Sequence, residues 1–324
     1  MNTADELQMM LRAARLYYED GLTQQQVADE LGVSRPQVSR LLTRAREEGI
    51  VRITIMDPFV TFTELETRLE ETFGLRRAVV TAGEDLSAEG LSAMALRRRI
   101  GLAAAEYLRR SLRDGMQAGM GWGRTLRAVI SALKDERRAI IHVVSLIGGM
   151  GQMSPSFQVN DLARGLAEAF GGTWQALYAP AFVGDPQVRE MLLQHPDVKM
   201  VMDAWGSLDI ALVGIGHFAL QRQSSMFFAE YMDDALLWEL EQRNAVGDLC
   251  GRFFDIHGEQ CILETGTIGM SLEQLKALDH VVGIAGGEEK VAAILGALRG
   301  GYLNVLITDT ATAQAVLELH EVRA

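Results

Sequence analysis

Apolar residues recur at the helical interval over the first part of the chain and change to short continuous runs afterwards. Leu7, Met10, Leu11, Ala14 and Tyr17 or Tyr18 fall on one face of a first helix, which the Asp20-Gly21 turn ends. A second helix starts at Thr23, whose Thr-x-x-Gln spacing to Gln26 lets a hydroxyl and an amide satisfy the backbone groups that a helix start leaves unpaired. Val27, Ala28 and Leu31 then face inward. Gly32 can take a left-handed conformation and closes this helix, and Ser34 to Gln37 repeats the capping pattern for a third. On the third helix Val38, Leu41, Leu42 and Ala45 occupy i, i+3, i+4 and i+7, which leaves Pro36, Arg40, Thr43 and Arg44 on the opposite side.

That opposite side is cationic and rich in hydrogen-bonding groups. It carries no Lys or Glu until Glu47 and Glu48. Two short helices across a tight turn, the second with such a face, form a helix-turn-helix pattern, and a single helix fits a major groove about 12 Å wide. This reading gives Gln37, Ser39 and Arg40 to base edges and Thr23, Arg35, Arg44 and Arg46 mainly to phosphates, with Gln24 and Gln25 where the second helix approaches the backbone and Ser34 and Thr43 on the same DNA-facing side. A small helical bundle with an ordinary solvated face would give the same amphipathicity.

From residue 60 onward short apolar runs at 77–80, 140–146, 209–214, 281–285 and 305–308 read as buried strands. Amphipathic stretches at 64–73, 88–112, 162–170, 232–244, 288–299 and 310–319 separate them. Alternation of this kind predicts an α/β fold with a mainly parallel, doubly wound sheet, in which ligands bind beyond the carboxyl ends of the strands. Pro58, after the alternating stretch 51–55, disfavours continuation of helix or central strand. It places a boundary that gives domains 1–56 and 57–324.

Composition sharpens this division. The formal charge is −12, yet residues 1–56 hold seven Arg against eight acidic side chains, so the acidity lies almost wholly in the larger part. Bulk electrostatics therefore argues against coating of nucleic acid or anionic lipid, and leaves room for a small local site. No apolar run approaches the roughly 18 residues of a membrane span, and the acidic start MNTADELQMM lacks the features of a secretory leader. Cys250 and Cys261 show no metal or disulfide spacing, which points to a reducing, cytoplasmic setting. The six histidines are scattered, so neither a metal site nor a catalytic triad starts from them, and no cofactor is implied.

Four glycine-rich stretches stand out: Gly119-Met-Gly-Trp-Gly-Arg-Thr-Leu126, Gly148-Gly-Met-Gly151, Gly214-Ile-Gly216 and Gly286-Gly-Glu-Glu-Lys290. In the first, Gly121 and Gly123 permit a turn with outward amides, and Thr125 adds a hydroxyl near the next helix's positive end, a chemistry suited to phosphate. Glycine also serves strand-to-helix turns for steric reasons alone. Lysine is scarce, so Lys290 one turn into a helix is a candidate for a phosphate or hydroxyl, with pairing to Glu288 or Glu289 as the alternative. Asp248 offers acceptors to a polyol, or else caps a turn.

The blocks YYEDGLTQQQVADELGVSRPQVSRLLTRAREEGIVRI at 17–53, GMGWGRTL at 119–126, GDLCGRFFD at 247–255 and VVGIAGGEEKVAAILGALRGGYLNVLITD at 281–309 resemble the SorC family of bacterial sugar-responsive transcriptional regulators, and the resemblance covers nearly the whole chain. It implies an operator-binding helix-turn-helix and an effector domain similar to sugar-phosphate isomerases, assembled as a homodimer or homotetramer. By that resemblance Gly121, Gly123, Arg124 and Thr125 form a phosphate loop, while Asp248 and Lys290 contact the sugar or polyol, with Gly148, Gly149 and Gln152 in a loop that varies among members. A catalytic sugar-phosphate isomerase is the competing expectation. No His or carboxylate pair suited to acid–base work lies in these loops apart from Glu288 and Glu289.

Overall fold

The computed structural model describes residues 3–18, 22–47, 50–51, 62–83, 93–133, 139–151, 158–218, 234–262 and 266–322. The chain divides into two compact units, 1–57 and 58–324. The expected boundary at 57 and Pro58, like most of the alternating stretch before it, falls outside the described residues.

The first unit contains α1 (Thr3–Tyr18), α2 (Gln24–Leu31) and α3 (Arg35–Glu47). Thr23 caps α2 in the expected way: its hydroxyl accepts from the Gln26 amide, while the Gln26 side chain accepts from the Thr23 amide at 2.9 Å. Gly32 ends α2 with φ +65°, a left-handed conformation that an L side chain resists, and its amide reaches back to Ala28 and Asp29. Met10, Ala13, Ala14, Val27, Ala28, Val38, Leu41, Leu42 and Ala45 close a small core. One expected position fails: Leu11 is 40% exposed, because the inward stripe of α1 runs through Ala13.

The second unit begins with α4 (Thr63–Phe73) and β1 (Arg77–Thr81), followed by α5 (Ala93–Ser111), β2 (Gln117–Met120), α6 (Arg124–Ala132), β3 (His142–Ser145), α7 (Val159–Phe170) and β4 (Thr173–Gln175). Next come α8 (Pro186–Gln194), α9 (Pro196–Ala204), β5 (Ile210–Gly214), β6 (Gly216–His217), α10 (Asp234–Gln242), β7 (Ala245–Leu249) and β8 (Arg252–Asp255). The chain closes with α11 (Leu272–Lys276), β9 (Val281–Ile284), α12 (Val291–Arg299), β10 (Val305–Asp309) and α13 (Thr310–Val322). Seven of the described strands pair in the order β1-β10-β9-β5-β2-β3-β4, parallel throughout, and β6, β7 and β8 form a small antiparallel sheet. Strands β2 and β4 and the small sheet were not anticipated, since they are short and carry too little apolar periodicity to stand out.

Alternate side chains of the parallel strands feed two cores. Ile210, Leu212, Val305 and Ile307 meet α5, α6 and α7, whereas Ala211, Val213 and Leu306 meet α9, α12 and α13. Burying each such branched side chain is worth about 1.5–3 kcal/mol before chain entropy is subtracted. The outer edge at β1 is closed by carboxylates instead of a strand: Glu66 accepts from the Val80 amide at 3.0 Å and Glu70 from the Ala78 amide at 2.9 Å. Those bonds occupy donors that an open edge would offer to another chain.

Candidate functional site

In the first unit, burial of Val38, Leu41, Leu42 and Ala45 turns the rest of α3 outward. Ser34, Arg35, Gln37, Ser39, Arg40 and Thr43 are exposed, and Arg44 is partly buried. Arg46 lies on the same helix, with its side chain outside the described residues. Gln24 and Gln25 open α2, but the Gln25 amide donates to Asp29 at 2.9 Å, and the Thr23 hydroxyl donates to Gln26 at 2.9 Å. The predicted face is thus gathered on α3, while two of the flanking groups are engaged in holding α2.

In the second unit the sheet order defines the site. From β2 the chain moves outward through β3 to β4, then returns to β5 on the opposite side of β2 and proceeds to β9 and β10. Beyond the carboxyl ends of β2 and β5 the connections therefore diverge and leave a crevice. The first loop there is Gly121-Trp122-Gly123. Its Gly121 amide donates back to Leu212 at 2.8 Å, which pins the loop to β5. Gly123 takes φ +122° and ψ 165° with open space where a Cβ would stand, and it starts α6 without any side-chain cap. The leading amides of α6 have no acceptor within their own helix, and the helix dipole adds positive potential around Thr125.

The loops from β5 and β9 supply the opposite wall. Lys290 follows β9, is partly buried, and donates to the Ile215 carbonyl at 2.7 Å, while Glu289 still favours its charged form. Burial lowers its pKa to about 8, against the opposing pull of Asp248 and Glu289, with Arg124 and Arg97 adding to the depression. Asp248 on β7 is 4% exposed, and its carboxylate presses against Gly216, where no Cβ would fit. It accepts from the Gly251 amide at 3.1 Å, so the turn-forming role holds as well. Burial raises its pKa to about 6, opposed by the Gly251 bond and by Lys290. His217 on β6 is pushed down to about 4, first by burial and then by Lys290. Its Nδ1 is buried with no hydrogen-bond partner among the described residues.

Gly148 and Gly149 repeat the behaviour of Gly121. The Gly148 amide donates to Ile268 at 2.9 Å and the Gly149 amide to Ala179 at 2.8 Å, while Gly148 also lies against the backbone of Ala179 and Pro180. These amides serve the chain's own pairing, as the Gly121 amide does through Leu212, so the expected outward N–H groups are absent at Gly121, Gly148 and Gly149 alike, and Gly121 contributes a tight turn instead of a donor. Gln152 lies outside the described residues. Sequence reasoning missed Arg97 and His217, which share the electrostatic environment of Lys290 with Glu289, the carboxylate it had weighed as a partner of that lysine. His217 adjoins the stretch Gly214-Ile-Gly216 that had been singled out. Arg97 has no local signal.

A groove-sized helix in one unit and a crevice lined by charged side chains in the other are the two parts that a ligand-responsive DNA-binding protein needs. Comparison with known proteins agrees. Residues 57–318 match the family described as "Putative sugar-binding domain" and residues 10–53 the homeodomain-like domain. The sorbitol operon regulator of Klebsiella pneumoniae is 35% identical, with 98% of this chain and 100% of the relative covered. The deoxyribonucleoside regulator of Bacillus subtilis is 33% identical over 97% of this chain and 98% of the relative. The crystal structure of the full-length Klebsiella pneumoniae sorbitol operon regulator superposes with a TM-score of 0.74 at 34% identity, covering 96% of this chain and 98% of that one.

The chain belongs to the SorC family of sugar-responsive transcriptional regulators. It is a DNA-binding regulator and not an enzyme, which settles the competing isomerase expectation. Among the described residues no helix is long and apolar enough to cross a membrane.

Proposed function

We propose that this regulator reads a double-stranded operator through α3 and is controlled by a phosphorylated sugar or polyol held by Gly121, Gly123, Arg124, Thr125, Asp248 and Lys290. The observation that carries this reading is the convergence of Lys290, Arg124 and the uncapped start of α6 on the crevice beside β2 and β5. A phosphate monoester carries close to two negative charges at neutral pH and several acceptor oxygens, which suits such donors. Asp248 presents acceptors to sugar hydroxyls across the same crevice. On the DNA side, Gln37, Ser39 and Arg40 contact base edges, with Arg35, Arg44 and Arg46 on phosphates. Gly148, Gly149 and Gln152 shape the sugar end of the site.

The protein works as a homodimer or homotetramer in the cytoplasm, where Cys250 and Cys261 stay as buried free thiols. Its body shares the architecture of sugar-phosphate isomerases. Two recognition helices must stand about 34 Å apart, or a multiple of it, to engage both half-sites, so a modest rotation between subunits changes operator affinity. A tenfold change requires about 1.4 kcal/mol of coupling. A thermal-shift screen of sugars, polyols and their phosphates tests the effector, because a ligand specific for the folded state raises stability with the logarithm of its concentration. Stabilisation by phosphates is expected. Stabilisation by unphosphorylated polyols alone overturns the anion role of Thr125 and Lys290.

A further inference from the structure

Helices α5 and α6 both cross the same face of the sheet, since the moves from β1 to β2 and from β2 to β3 go in one direction. They pack closely because position 101 is glycine: a Cβ there would come within 2.7 Å of the Ala128 backbone. One turn before that contact on each helix stands an arginine, Arg97 on α5 and Arg124 on α6. The charge of Arg124, after burial, makes Arg97 harder to keep protonated, and Glu289 opposes this. Lys290 lies within the field of both arginines. Two guanidinium groups and an ammonium thus act on one another, within the fields of the carboxylates Asp248 and Glu289 and beside the neutral His217. Like charges held together in this way cost stability in the empty protein, and a bound anion turns that cost into attraction.

We propose that Arg97 is an effector ligand that closes, with Arg124 and Lys290, on the anionic group, and so makes recognition depend on a doubly charged phosphate. This rests on the phosphorylated-effector reading above and adds a third cation, from an element that contributes no part of the glycine loops. Guanidinium donors match two phosphate oxygens at once, so a lysine at 97 would restore charge without the paired geometry.

The test is titration of the full chain with inorganic phosphate, followed by thermal shift and calorimetry, with sodium chloride matching ionic strength and glucitol as an uncharged control. Arg97→Gln is expected to weaken phosphate binding at least tenfold and to leave the unliganded melting point unchanged or higher, because repulsion with Arg124 is relieved. Arg97→Lys should recover part of the affinity. The exposed neighbour substitution Arg98→Gln should behave as wild type. An Arg97→Gln protein that binds phosphate normally, while Lys290→Gln does not, overturns the role of Arg97 and leaves the anion site standing. A lowered unliganded melting point without recovery by lysine assigns Arg97 to the fold and also overturns the proposal. A wild-type protein that responds to glucitol and not to phosphate removes the phosphorylated-effector reading itself.

Discussion

The proposed DNA-contacting side chains lie between positions 23 and 46, and a single helix, α3, presents most of them. The proposed effector crevice instead draws on Arg97, Arg124, His217, Asp248 and Lys290, whose charges act on one another only after the sheet has brought β2, β5 and β9 side by side. One surface is written in the local period of the chain and reaches outward into solvent. The other is assembled by topology, and its charged groups are partly stripped of water. A substitution in the first should therefore act on one contact, whereas a substitution in the second disturbs a coupled set of charges.

The largest expected effect is on the coupled set. Lys290→Met should weaken stabilisation by a phosphorylated sugar about 100-fold, roughly 2.7 kcal/mol, because it removes an ammonium held by the Ile215 carbonyl at 2.7 Å and leaves Asp248 without the cation that offsets its burial. Operator affinity of the unliganded protein, followed by fluorescence anisotropy, should persist. An equal loss of operator binding would break the separation between the two surfaces.

Next come the outward residues of α3. Arg40→Ala should cost about 1–3 kcal/mol in operator affinity and relax preference at one base pair, as expected for a base contact. Arg44→Ala should weaken binding to all sequences alike and lower the salt slope by about one, as expected for a phosphate contact. Both variants should keep the full thermal response to effector. If the two behave alike in the salt titration, the division between base and backbone contacts on this helix is wrong.

A smaller effect should follow from pH. Lys290 loses its proton near 8 rather than 10.5, so anion affinity should fall by up to about tenfold per unit above pH 8. Stability of the empty protein should move the other way in that window: the native state has shed a proton that the unfolded chain keeps until about 10.5, so the Lys290 contribution improves as pH rises from about 8. Asp248, raised from 3.8 to about 6, gives a contribution that is present at low pH and lost as pH climbs through 6. Calorimetric titration with phosphate between pH 6.5 and 9.5 measures the first trend. Flat affinity across pH 8 would remove Lys290 from the anion site.

The same contrast governs how much was legible in the sequence. Thr23, Gly32 and the stripe Val38, Leu41, Leu42 and Ala45 announce themselves within one or two helical turns, so the first unit was readable almost to the residue. The parallel sheet was readable as alternation, and Gly123 and Lys290 as oddities of composition. What stayed hidden depends on contacts between distant segments. Gly148 looked like Gly123 in the chain, yet its amide is spent on Ile268. Arg97 looked like one of three consecutive arginines on a solvated helix. Only the approach of α5 to α6 distinguishes it.

Two glycines bring this contrast to its smallest scale. Gly32→Ala meets open space but keeps a φ of +65°, so its cost is the left-handed conformation alone, about 1–2 kcal/mol by urea denaturation, with effector response untouched. Gly101→Ala has ordinary helical geometry and meets the Ala128 backbone at 2.7 Å, so α5 must move away from α6. The stability loss should be similar, about 1–3 kcal/mol, but phosphate affinity should fall with it, because Arg97 and Arg124 are spaced by that contact. Equal stability losses with unequal ligand effects would show that the crevice depends on helix spacing in a way the trihelical unit does not. A Gly101→Ala protein with normal phosphate binding would mean that α6 and the Lys290 loop hold the anion without α5.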